Sequence, residues 1–521
     1  MLFPGALAAQ DSGGDIPAAQ IPRPTPTGAP LSRVLTLVSM ALAAASPARA
    51  QEPQLGTIDF PTSAGPAAQA AFVRGVLYLH SFEYASSATA FREAQGLDPG
   101  FAMAYWGEAM SLNHPIWNEQ DSVQARTLLD RLAPSPEARQ AKAPTARERG
   151  YLQAVEQLYG AGGSKPRRDT LYSAAMESLA AAYPADAEAR AFYALSLLGL
   201  SQGDRVVPTY MRAGAISLAL LQQYPDHPGA AHYAIHSFDD PDHAIIGLPA
   251  ARAYSLIAPG APHAQHMTAH IFLALGMWNE VVSQNVIASG PDRSKWTPGH
   301  YTQWLQYGLL QLGRAAEADS LLRTSLATAG TPLQGGRASY ALEMRAAQIV
   351  NAQQWREPCL SAPLAVSRTS VGSEAADAFA QGYAALQRGE PGTAATQQER
   401  FPALKARVAS RPDATQPGTV DALAKALDAA VAFQAGHRDE ALVLIAEANH
   451  IEDGLAVEFG PPTIVKPTWE LRGEMLLAMN RPREAQDAFT RSLALQPNRL
   501  LSMQGLAAAE RALAMTGHSG E

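Results

Sequence analysis

A single cysteine, Cys359, stands in 521 residues, and that excludes an internal disulfide framework and any thiolate-cluster metal site. In the context WREPCLSAP it reads as an inert packed thiol. Basic charge is short as well: 40 Lys and Arg against 48 Asp and Glu leave a net charge of -8, so no basic face recruits nucleic acid. No apolar run reaches the 18 or so residues of a membrane-spanning helix. The chain also lacks a serine nucleophile elbow, a phosphate-cradling glycine loop and an HExxH metal signature. A small-molecule, metal or protein partner is the expectation that survives.

What the chain has in quantity is helix former. Hydrophobic residues make up 47% of it, in Ala- and Leu-rich segments interleaved with Glu and Arg, which favours helices over strands. Near the N-terminus, Arg33 precedes the apolar run Val34 to Ala45 and the small-x-small tripeptide Ala48-Arg49-Ala50. That order is a secretory signal cleaved near Ala50, behind a start placed too far upstream, and it predicts export to the periplasm or beyond.

From residue 67 a repeat sets in. With Pro99 closing a 34-residue unit, Gly75, Tyr78, Phe91 and Ala94 take positions 8, 11, 24 and 27, the small and large packing positions of a tetratricopeptide repeat (TPR). At the C-terminus Trp469, Gly473, Ala485, Phe489 and Pro497 fall at positions 4, 8, 20, 24 and 32. The predicted fold is therefore an all-α, TPR-like superhelical solenoid. Its expected division is 1–50 signal region, 51–66 linker, 67–130 N-terminal repeats, 131–227 degenerate hairpins, 228–329 histidine-rich core, 330–432 degenerate repeats with an irregular loop at 388–420, and 433–515 C-terminal repeats. Two registers are open for 304–328, anchored on Gly308 or on Gly313.

Seven of the thirteen histidines lie between Tyr224 and His270. His232 and His236 form one HxxxH pair, and His266 and His270 a second, thirty-four residues on. Counting from Pro228 and Pro262, the positions that line a TPR groove hold His232, His236 and Asp239 in one unit and His263, His266 and His270 in the next. Residues four apart on a helix have Cβ atoms about 5–6 Å apart and can share an ion. Neutral imidazole suits Zn, Cu and Fe. Asp239, Asp240 and His243 are candidates for a carboxylate ligand, an extra ligand or partners that fix a tautomer. His80 and His114, also thirty-four apart, extend the groove at one end and His300 at the other. Tyr105, Trp106, Trp117, Trp296, Tyr301 and Trp304 read as packing residues. Two functions follow: a scaffold whose groove holds a peptide or protein partner, or a metal-dependent enzyme or metal carrier built on the two pairs. A third reading has the histidines only knitting two repeats together.

The segments GVLYLHSFEYASSATAFREAQGLDPGFAMAYWGEAM and HPGAAHYAIHSFDDPDHAIIGLPAARAYSLIAPGAPHAQHMTAHIF, with RGEMLLAMNRPREAQDAFTRSLALQPN, resemble a family of bacterial TPR proteins, often exported. His227, His232, His236, Asp239, Asp240, His243, His263, His266, His270 and Asn285 match motif positions of that family, and Thr268 stands where it usually has proline. The resemblance implies the fold and carries no substrate with it.

Overall fold

The computed structural model describes residues 53–160, 162–201, 205–410 and 415–517. The predicted signal segment lies outside them. Among the described residues the chain is helical almost throughout, and its few strands are two residues long. Most long helices pack against the next, and several first helices of a pair also meet the first helix of the following pair, as Pro228–Phe238 meets Pro262–Ala274. The fold is an all-α, TPR-like solenoid.

The repeat register is visible in single contacts. The Phe91 ring sits where a Cβ on Gly75 would come within 2.8 Å of it, and one on Gly107 within 2.2 Å. Phe489 is wedged between Gly473 and Gly505 in the same way, at 2.7 and 2.3 Å. A bare backbone on two first helices thus makes room for the aromatic ring of the helix between them. Gly107→Ala should destabilise the protein by about 1–3 kcal/mol, because the ring has no free rotamer into which to retreat; urea unfolding at constant m-value measures it.

Residues near both ends of the described part pack against its middle. Residues 51–66, expected as a linker, form a packed strap from residue 53: Leu55 and Phe60 are buried, and the strap bonds to turns through Thr57 N–H to Asp226 O and Gly260 N–H to Gln54 O, both 2.9 Å. Two large apolar side chains in a short segment draw it onto the helices. At the other end Trp278 Nε1–H donates to Asn498 O at 2.9 Å, and Arg499 reaches the Tyr307 hydroxyl at 3.2 Å. Residues 388–420 hold the short helices Pro391–Gln398 and Phe401–Ser410. Cys359 is exposed rather than packed, and partial desolvation raises its thiol pKa.

The segment 455–467 crosses the inner face of the middle units. Gly460 presses on Trp304, where a Cβ would approach the ring to 2.7 Å, and Pro461, Pro462, Thr463 and Val465 lie along Gln303, Tyr307 and Glu343. The groove at this level is filled by the protein's own chain.

Candidate metal centre

Helices Pro228–Phe238 and Pro262–Ala274 each begin with proline at the first turn, where its missing N–H costs nothing. The i, i+4 spacing then sets His232 above His236 and His266 above His270. The structure adds a third histidine to each pair. His263, on the first turn of the second helix, joins His232 and His236; His300, which opens the helix His300–Gln311, joins His266 and His270. In each triad one ligand atom from every ring lies within 4.8 Å of the others. The triads adjoin, with ring centroids 6.0 Å apart for His236 and His270 and 6.3 Å for His263 and His266. The sequence left open whether the pairs converge on one site or form two neighbouring ones; the geometry is two, side by side.

Hydrogen bonds fix which nitrogen is available on three of the six rings. His232 Nδ1–H donates to His80 O at 2.6 Å. His270 Nδ1–H donates to Asp239 Oδ2 at 2.5 Å. Asn285 spends its amide N–H on Val281 O, so its Oδ1 accepts from His266 Nδ1–H at 2.8 Å. Three rings therefore point a bare Nε2 lone pair inward. The Nε2 atoms of His232, His236 and His263 are buried without a hydrogen-bond partner. His266 Nε2 and His270 Nε2 face each other at 3.1 Å, a contact that is attractive only with a proton or a cation between them. Two imidazoles bound to one ion at about 2.0–2.1 Å, roughly 95–110° apart, sit about 3.0–3.4 Å from each other.

Burial disfavours the charged form of His232, His236, His263, His266 and His300. His232, His236, His263 and His266 have pKa values well below the usual imidazole range, first through desolvation and then through neighbouring histidines. His300 is pushed down to about 3 by the same causes. Neutral imidazole is the ligating form. Aromatic rings wall the site: Phe82 lies 4.3 Å from His232 between centroids, and Trp304 4.4 Å from His270. Phe82 holds φ 54°, a left-handed conformation uncommon for a bulky residue, and so places its ring over the first triad.

The other candidates have different roles. Asp239 is not placed as a ligand: at the C-terminal cap of its helix it turns its carboxylate to His270 Nδ1, on the far side of the ring from Nε2. Asp240 accepts from Arg205 at 2.6 Å and lies 2.7 Å from His243 Nδ1, a pairing apart from both triads. His114 stacks on Tyr84 at 4.0 Å and joins neither. His80 is fully buried between Glu188, 2.7 Å from its Nε2, and the Tyr233 hydroxyl, 2.8 Å from its Nδ1. Glu188 also faces His227 Nε2 at 3.1 Å. These three also lie close enough to hold an ion; His227 Nδ1 accepts the Ala230 N–H at 3.2 Å, which leaves its proton on Nε2, 3.1 Å from Glu188 Oε1 but without a hydrogen bond between the two atoms. His80 anchors the cluster through its hydrogen bonds to Glu188 and Tyr233, and the two histidines hold the Glu188 carboxyl far below its usual pKa despite burial. Through the His80 carbonyl it orients His232. Trp106 and Trp304 are buried as predicted, whereas Trp117 is half exposed.

Glu188, Tyr233 and Phe82 carried no sequence signal, since their partners lie far along the chain or act through shape. Asn285 had one, its place in the family motif.

No family model matches the chain, and no curated protein does. Among solved structures it is similar to the Cut9–Hcn1 hetero-tetramer of APC/C, at 14% identity and TM-score 0.34 over 85% of this chain and 76% of that one. It is similar to yeast Tom70, at 10% identity and TM-score 0.33 over 86% and 96%, and to the TPR domain of P58(IPK), at 12% and 0.21 over 86% and 99%. The fold assignment rests on the helix pairing and glycine–phenylalanine wedges above.

Proposed function

We propose that the protein is an exported metal-binding repeat protein that holds two transition-metal ions, of Zn, Cu or Fe, in adjacent all-histidine sites. The observation that carries this reading is the set of buried Nε2 atoms: three without a partner and two facing each other at 3.1 Å. Three protein ligands per ion leave a coordination position open, the arrangement of a catalytic rather than a structural site. His263 and His300 are the less buried member of each triad, so ions and small ligands reach the centre past them. A metal-dependent enzyme and a metal carrier both fit that geometry.

Metal analysis of the purified protein tests the reading: it expects about two ions per chain and a melting point that falls on chelation. A metal-free protein whose melting point ignores a chelator overturns it. Asp239→Asn should weaken the second ion by about 10–100-fold, the usual cost of losing the carboxylate behind a ligating histidine, and leave the first unchanged; titration with Zn²⁺ in competition with a chelator reads this.

A protein partner is the second reading. The covered groove does not favour it, but Ile245 and Leu256, 62% and 74% exposed, leave apolar surface on the helix Ala244–Ile257 for one to cover.

A further inference from the structure

Behind the second triad, between helices Pro228–Phe238, Pro262–Ala274 and Trp278–Ala288 and the crossing segment 455–467, lies a cavity of about 180 Å³. Its wall is mainly apolar, from Leu273, Trp278, Leu455 and Ile464. Its charged groups are all acidic: Asp239, Asp240, Glu452 and Glu458 line it beside Gln496 and Tyr307, and no Lys, Arg or His does.

The acceptors are unequally satisfied. Asp239 is bound to His270 and Asp240 to Arg205. Glu452 Oε2 takes the Thr468 N–H at 2.8 Å, and Glu458 Oε2 the Thr463 N–H at 2.6 Å, each with a second oxygen to offer. Gln496 Oε1 is buried with no partner at all. The one indole donor in the wall, Trp278 Nε1–H, is spent on Asn498 O. Burial raises the carboxyl of Glu452 to about 7, outweighing the attraction of Arg499, and that of Glu458 above its usual range, as expected of desolvated acids. An anion finds no cationic side chain in this wall and four carboxyl groups against it, and an uncharged apolar molecule leaves the buried acceptors unanswered.

We infer that this cavity is a binding site for a small organic cation, a primary ammonium group on a compact apolar or aromatic body, with the ammonium donating to Glu452, Glu458 and Gln496. The three donors of an ammonium match three acceptors, and the apolar body meets Leu273, Leu455 and Ile464. The site is separate from the metal centre and does not depend on it, although Asp239 borders both.

The test uses the full chain as purified and three probes of similar size: 2-phenylethylammonium, 2-phenylethanol and phenylacetate, titrated by calorimetry and by ligand-observed NMR. The ammonium should bind saturably with a Kd of about 1 mM or tighter, in line with the efficiency of small ligands. The alcohol should bind at least about 10-fold more weakly, and the carboxylate not at all. Glu452→Gln with Glu458→Gln should weaken the ammonium by about 10-fold or more, and Leu455→Trp, which fills the cavity without touching a carboxylate, should abolish binding. Equal affinity for alcohol and ammonium, or no saturation by about 10 mM ammonium in the unmodified protein, overturns the inference. Those two results come from the unmodified chain, so a variant that fails to fold does not shield the inference, and metal content is read independently of both.

Discussion

The His232→Ala/His266→Ala double variant should remain folded, lose both ions, and become indifferent to chelators. Each substitution takes one ligand of a triad and leaves two imidazoles, so the loss in affinity per site should exceed the roughly 100-fold that follows removal of an outer partner. Metal content after dialysis measures it. Stability should fall too, since His80 O loses the His232 Nδ1–H and Asn285 Oδ1 loses that of His266; a buried acceptor left unpaired costs about 1–3 kcal/mol. Circular dichroism separates this from unfolding. The rival in which the histidines only knit repeats together expects the same cost in stability with no metal to lose. The 3.1 Å approach of two Nε2 atoms whose Nδ1 protons are already committed speaks against that rival, because a knitting hydrogen bond there needs an extra proton on a buried ring.

Much of this centre was legible in the sequence, and the limits have physical causes. Repeat phase placed His232, His236, His266 and His270 on one face because helical periodicity is local and strong. His300 stayed uncertain because two glycines competed for the anchor of its helix. The structure chooses Gly308, where a Cβ would meet Val282 at 3.0 Å and Val281 at 3.2 Å, whereas Gly313 takes φ +73° in the turn that ends the helix. Asp239 was legible as a neighbour of the site and not as a partner of His270 Nδ1, because the direction of a capping side chain depends on how the helix ends. Glu188 was invisible: it meets His80 across 108 residues, and no local pattern marks such a meeting. The strap at 53–60 was read as linker because its two apolar anchors, Leu55 and Phe60, are too few to show a period.

Glu470→Ala should produce the largest loss of stability of any single change, about 3–5 kcal/mol, the usual cost of stripping a buried cation of its partner. Glu470 accepts from Arg499 Nε at 2.7 Å, Lys466 Nζ at 3.0 Å and Ser502 Oγ at 2.6 Å, and neither Glu470 nor Arg499 is exposed at all. Although burial alone raises a carboxyl, Arg499 and Lys466 hold this one well below its usual range. A carboxyl depressed in the folded state contributes stability above its unfolded pKa and loses it as the pH falls. The unmodified protein should therefore lose stability as the pH drops below about 4.5, and Glu470→Ala should lack that part of the acid dependence; urea unfolding at pH 7 and pH 4 measures both. The latch also bears on the metal. Arg499 bonds Tyr307 on the helix that His300 opens, so a loosened C-terminal unit frees the third ligand of the second triad only. Glu470→Ala should weaken the second ion more than the first, whereas equal loss from both sites, or a change in stability under about 1 kcal/mol, would show that the C-terminal return does not hold the His300 helix in place.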